Sequence, residues 1–211
     1  MILATACFPI ESRWIARRRD VRIVRTAVGE RSRVTMDALG SETPKASLLI
    51  ATGFCGGIDP RIRRGDLFLA RAIRHRGEEI RIDTRILDRV RRRLDGGSAE
   101  VHVGLCQSAD HVLQSAEKRA LAADGVTAVD MESGPLARWA TDRGIPFLVL
   151  RVVFDPAGAD LPFSSDRPFW VSAVGHPFAA IRAVRHAIGA GRKLGTAVDM
   201  AIDTFAGGAD A

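Results

Sequence analysis

At 211 residues, with 46% hydrophobic side chains and a mean hydropathy of +0.03, the chain has enough apolar material for one full core. No apolar run is long enough to span a bilayer, and the start, MILATACFPIESRW, lacks the basic leader and long apolar stretch of a signal peptide, so a cytoplasmic protein folding as a single domain over 1–211 is expected. The net charge of +6 is carried almost wholly by arginine, but there is no Tyr, and the few aromatics are not interleaved with the arginine runs as nucleic-acid stacking platforms would be.

Cys7, Cys55 and Cys106 are too widely spaced for a metal motif and too few for a disulfide framework, so buried thiols and no metal are expected. The runs at Arg17–Arg19, Arg61–Arg64 and Arg89–Arg93 read as solvated faces.

Ile2–Ala6 is a short apolar run that fits a buried first strand, and Val21–Thr26 alternates as a half-exposed second one. Between them, Glu11 follows the strand within a turn-like FPIES segment and reads as a helix-start residue, where its charge suits the helix dipole. Arg31–Leu39 continues as a helix beyond Gly29. Ser47–Thr52 is then a buried strand that runs into a glycine-rich turn, Gly53–Gly57, whose backbone N–H groups could approach an anion. Leu67–Ile73 is the next strand. Thr84–Leu94 is a surface helix with Thr84 as its cap and the Gly96–Gly97 pair as its stop.

Val101–Leu105 is another strand, and Ser115–Ala123 a helix stopped by Gly125. His111, in the intervening loop, reads as a surface residue. Thr127–Asp130 is a strand, a helix opens at Met131–Pro135 and stops at Gly144, and Phe147–Phe154 is a buried strand ending on Asp155. Glu132 and Asp155, each just past a strand, are expected to face one crevice. Leu161–Trp170 mixes prolines with aromatics, and Pro177–Phe205 reads as one broken helix or two, interrupted around Gly189–Gly195. This alternation predicts an α/β fold: an α/β/α sandwich on a mostly parallel, mixed central sheet.

TGFCGG (Thr52–Gly57), GD (Gly65, Asp66), SAD (Ser108–Asp110), VDMES (Val129–Ser133) and RGIPFLVLRVVFDPA (Arg143–Ala157) together resemble the nucleoside phosphorylase and nucleosidase superfamily, which includes purine nucleoside phosphorylase and methylthioadenosine/S-adenosylhomocysteine nucleosidase. Within it, the small size and the GFCGG form look most like the hopanoid-associated phosphorylases. The resemblance implies release of adenine from a 5′-substituted adenosine, adenosylhopane above all, with the hydrolytic nucleosidase as the alternative enzyme and a non-catalytic nucleoside-binding protein as the alternative of another class.

Glycosidic cleavage develops positive charge on the sugar and negative charge on the base, and both need stabilising. By resemblance, Glu132 accepts hydrogen bonds from the ribose hydroxyls, Met131 packs on the sugar, and the base lies against Val112, Leu113 and Val153. Asp155 would share a proton with the purine's imidazole nitrogen, its apolar flank raising its pKa. Glu11 matches the glutamate that activates water, whereas Gly29, Gly53, Phe54 and Arg31 could instead hold phosphate as co-substrate. The chain departs from the phosphorylase pattern at Ala51 and Phe54, where two phosphate ligands are missing, and from the nucleosidases at Val112, which replaces a stacking Phe. No cofactor is implied. A homo-oligomer is, and Leu161–Trp170 with the arginine runs would allow peripheral contact at the inner face of a membrane.

Overall fold

The computed structural model describes residues 1–40, 46–97, 99–159 and 177–206. In chain order the elements are β1 (Ile2–Ala6), α1 (Pro9–Ser12), β2 (Val21–Arg25), α2 (Arg31–Ala38), β3 (Leu48–Gly57), β4 (Leu67–His75), β5 (Glu78–Arg81), α3 (Thr84–Leu94), β6 (Val101–Ser108), α4 (Ser115–Ala123), β7 (Val126–Asp130), α5 (Ser133–Thr141), β8 (Phe147–Asp155) and α6 (Pro177–Ala206).

Strand periodicity builds the layers. Along β8, Phe147, Val149 and Val153 join one apolar cluster with Met36 of α2 and Leu136 and Trp139 of α5, while Leu148, Leu150 and Val152 join another with Leu87, Val90 and Leu94 of α3 and Leu194, Ala197 and Val198 of α6. Both faces of the strand are therefore covered, which is why its sequence reads as a continuous apolar run rather than an alternation. A smaller cluster, including Leu113 and Val126, lies under α4.

The sheet is mixed, as expected, and it also closes on itself. The strands β1 and β2 extend from β3 in parallel, and β3 pairs with β8 in parallel. The ring continues from β8 to β4 (antiparallel), β4 to β6 and β6 to β7 (both parallel), and β7 back to β3 (antiparallel). The hairpin partner β5 flanks β4.

Three local expectations are corrected. Gly53–Gly57 is no turn: β3 runs straight through it. Its glycines provide room, since a Cβ on Gly53 (φ +141°) would stand 2.5 Å from Arg151 Nη1 and 2.9 Å from Glu11 Oε1. The cap of α3 is Asp83, whose side chain accepts the Arg85 N–H at 2.8 Å, rather than Thr84. The C-terminal stretch is one continuous helix. Its glycines make a groove instead of a break: a Cβ on Gly191 would fall 2.5 Å from the Ile10 carbonyl oxygen, and one on Gly195 2.5 Å from Trp14 Cβ.

The three cysteines are free, with Cys55 and Cys106 buried and Cys7 partly so, and the arginines of α3 lie on its exposed face. Among the described residues, no helix is long and apolar enough to cross a membrane.

Candidate active site

The site forms where β3, β7 and β8 meet. Gly56 of β3 is paired with Val129 of β7 on one side and Asp155 of β8 on the other. Because β7 runs antiparallel to β3 and β8 parallel to it, Glu132 and Asp155 are not equivalent strand ends, as two parallel strands would have made them. The chain leaving β7 heads back toward Gly53, whereas β8 advances to Gly56. The two carboxylates are thus staggered along β3 by three residues, about 10 Å of extended strand. A register shift at Cys55/Gly56 gives β8 one extra residue, Phe154, and this bulge sets Asp155 against Gly56.

At the Gly53 level sits a buried cluster of charge. Arg151 is the odd member of the apolar face of β8, and its side chain is 1% exposed. Its guanidinium donates to the Thr52 carbonyl (2.9 Å) and to Ser133 Oγ (3.0 Å), lies 2.8 Å from Asp130 Oδ2, and stands 3.8 Å from Glu132 Oε2. Asp130 also accepts the Ser133 N–H at 3.1 Å and its hydroxyl, so the carboxylate that pins Arg151 also fixes the start of α5. Glu132, at the N-cap of α5, makes no cap bond with its side chain and instead accepts the Gly29 N–H at 3.2 Å.

Glu11 is both a helix-start residue and part of this cluster. Its Oε2 accepts the N–H groups of Cys7 and Phe8, each at 2.9 Å, and its Oε1 accepts the Phe54 N–H at 2.9 Å.

Burial shifts the protonation of two of the carboxylates around this guanidinium, Glu132 and Glu11. Burial pushes Glu132 up to about 7, with Asp130 and Glu11 adding to the rise and Arg151 opposing it. Glu11 is raised by burial too, against the three N–H groups and Arg151. Burial alone would weaken the Arg151 cation, but Asp130, Glu132 and Glu11 outweigh it and hold it charged. Cys7, half-buried beside Glu132 and donating to the Ala27 carbonyl at 3.4 Å, is pushed up to about 12 by desolvation and is a thiol, not a thiolate.

At the Gly56 level, Asp155 is ion-paired with Lys118 of α4, both nearly inaccessible. Burial raises the Asp155 pKa and Lys118 opposes the rise. A Cβ on Gly56 would lie 3.0 Å from Asp155 Oδ2 and 3.3 Å from Lys118 Nζ, so this glycine leaves room for the pair. Thr5 Oγ1, Ser108 Oγ and Arg151 Nε are buried polar atoms without a protein partner.

The structure brings Glu11, Gly29, Gly53, Phe54 and Glu132 together around Arg151. It leaves Arg31 out: its side chain is exposed at the start of α2 instead of turned into the cluster. Met131 and Val112 are half-buried, Leu113 packs in the small cluster under α4, and Val153 is wholly buried in the cluster shared with α5. The segment Leu161–Trp170 lies outside the described residues. Sequence reasoning gave no role to Arg151 or Lys118. The signal for Arg151 was available, an arginine inside FLVLRVVF, a run that otherwise has no polar member. His111 is exposed between Asp110 and Glu117, as a surface residue should be.

The chain belongs to the phosphorylase superfamily, whose family model matches residues 15–184. A 5′-methylthioadenosine/S-adenosylhomocysteine nucleosidase of Exiguobacterium sp. is 23% identical over 168 residues, 70% of this chain and 72% of that protein. One from Mycobacterium bovis is 28% identical over 153 residues, 53% of this chain and 60% of that one. The fold is shared with the Streptococcus pneumoniae enzyme of that name solved with a transition-state inhibitor, at a TM-score of 0.74 and 17% identity, covering 97% of this chain and 99% of the other. Glu11 precedes the matched stretch, so its place in the site rests on the hydrogen bonds above.

Proposed function

We propose that the protein is a nucleosidase that hydrolyses the N-glycosidic bond of a 5′-substituted adenosine and releases adenine. In this reading Glu132 binds the ribose hydroxyls, with Met131 beside the sugar. Glu11 takes a proton from the attacking water, and Asp155 serves the imidazole nitrogen of the leaving purine, with Val112 and Leu113 nearest the base. The stagger of Glu132 and Asp155 along β3 suits a ligand with its sugar at one end and its purine at the other.

One observation favours water over phosphate. The backbone N–H groups of Phe54 and Gly29, two of the donors that could cradle phosphate, are already taken by Glu11 and Glu132. With Arg31 turned to solvent, a phosphate dianion would meet carboxylates where it needs donors. The curated relatives named above carry the same activity in their names.

The test is incubation with methylthioadenosine, with and without phosphate, followed by chromatography of the products. Adenine and free sugar at equal rates in both supports hydrolysis; a sugar phosphate formed only with phosphate overturns it.

A second reading keeps the chemistry and changes the substituent to the polycyclic hydrocarbon of adenosylhopane. Phe8 favours it, since its N–H is on Glu11 while the residue is 52% exposed, an apolar surface beside the site. Preference for adenosylhopane over methylthioadenosine in direct competition, with salt-sensitive flotation on anionic vesicles, would establish this reading and the membrane contact it needs.

A further inference from the structure

A lysine buried on a helix whose neighbouring residues Ala116, Glu117, Arg119 and Ala120 face solvent is out of place for packing alone. Lys118 is 2% exposed, and its ammonium ends on Asp155, the group that serves the purine in the reading above. A buried ion pair adds little stability over an apolar pair of the same size. Its position is more telling: α4 follows directly on Val112 and Leu113, its first turn is held by the Gln114 N–H donating to Glu117 at 2.9 Å, and Gly56 leaves room for both charged ends. The other groups around the pair are Arg64, which favours the Asp155 anion, and the Cys55 thiol, which burial holds protonated.

We propose, resting on the adenine-releasing function above, that Lys118 is the proton reservoir of the leaving-group acid: the proton that reaches the departing purine is drawn from the Lys118–Asp155 pair and not from a lone carboxylic acid. As the bond between the sugar's anomeric carbon and the purine breaks, its electron pair stays on the base. The Asp155 carboxylate takes a proton from the Lys118 ammonium and passes it to the imidazole nitrogen, so the pair ends as a neutral Lys118 amine beside an Asp155 carboxylate. The water oxygen bonds to the anomeric carbon, and its proton goes to Glu11. Glu11 then releases its proton to solvent, and solvent returns one to Lys118. Lys118 acts through Asp155 and is a positioning residue, not a ligand of the substrate.

The test compares wild type, K118R and K118M in adenine release from methylthioadenosine between pH 5 and 10, each variant first checked for a native circular dichroism spectrum. Arginine keeps the charge and the fold but does not surrender a proton, so K118R should lose about 100-fold in kcat with little change in KM. In K118M, Asp155 must supply the proton from its own carboxylic acid, so the variant should approach wild-type kcat at low pH and fail as Asp155 ionises, its alkaline limb moved to lower pH. K118R within a few-fold of wild type, or K118M slowed equally at every pH, overturns the proposal and leaves the proposed function standing. Absence of adenine release by the wild type from both methylthioadenosine and adenosylhopane sinks the function itself, and this inference with it.

Discussion

Arg151 Nη2 lies 2.8 Å from Asp130 Oδ2, and neither side chain is more than 1% exposed. One guanidinium therefore faces Asp130, Glu132 and Glu11 with no solvent to dilute the charge. It ties the helix start at Ser133 to β8 and β3, and it is the shared cation beneath the sugar end of the proposed site. Removing it strands buried carboxylates.

R151M should destabilise the fold by about 3–5 kcal/mol, the range for breaking a buried pair by deleting one partner. Urea denaturation at pH 7 checks this, and part of the loss should be recovered at pH 5, where the stranded carboxylates can take up protons. An unchanged midpoint would mean that the cluster is solvated in solution and that the geometry at Gly53 is wrong.

For Glu11 the decisive change is E11Q. The amide oxygen can still accept the Phe54 N–H, but its NH2 then faces the Cys7 and Phe8 N–H groups where they had an acceptor, so the fold should survive at a cost of about 1–3 kcal/mol. Proton abstraction is lost, and kcat should fall by about 100-fold or more. Affinity for a non-hydrolysable nucleoside, measured by calorimetry, should stay within a few-fold of wild type. Full activity in E11Q would remove Glu11 as the base that activates water.

Much of this architecture is legible in the sequence, and for identifiable reasons. Strands such as Ile2–Ala6 and Phe147–Asp155 are apolar runs bounded by turn residues, and Gly125 and Gly144, both in the positive-φ region at +73° and +64°, end their helices as punctuation should. What one chain does not display is what packs against its glycines. Gly53 and Gly56 look like a turn because a turn is the common use of clustered glycine; here they leave room for Arg151, Glu11, Lys118 and Asp155, residues 42 to 99 positions away in the chain. Ring closure was hidden for the same reason. The antiparallel joints of β7 to β3 and of β8 to β4 link strands separated by long stretches of sequence, and the first of them sets the stagger between Glu132 and Asp155.

The raised Glu132 gives a pH signature. Its pKa is about 7 in the folded chain against the ordinary 4.5 of a solvated glutamate, so the fold binds more protons than the unfolded chain between those two values. Its contribution is fully present below pH ~4.5 and is lost as pH rises through ~7, a change of about 3 kcal/mol at most for a carboxylate coupled to two others. E132Q should flatten that part of the stability profile. Ligand binding runs the other way, because ribose hydroxyls donate to an ionised carboxylate. Titration calorimetry with a nucleoside inhibitor should show affinity rising through pH 7 in wild type and not in E132Q.

The continuous helix α6 makes the last prediction, through two glycines that sequence alone treats alike. Nothing lies within 4 Å of a Cβ on Gly189, which is exposed, so G189A should stabilise the helix by about 1 kcal/mol. On Gly195 a Cβ would stand 2.5 Å from Trp14 Cβ and 2.6 Å from the Trp14 carbonyl oxygen, so the segment after α1 must be pushed away. Backbone cannot rotate aside as a side chain can, so overpacking here should cost about 1–3 kcal/mol despite the gain in helix propensity. Trp14 is also flanked by Arg13 and Arg192, with their guanidinium carbons 5.2 and 4.8 Å from its ring centre, so G195A should shift tryptophan fluorescence while G189A leaves it unchanged. Were the helix broken between the two glycines, the substitutions would instead weaken the fold together or not at all.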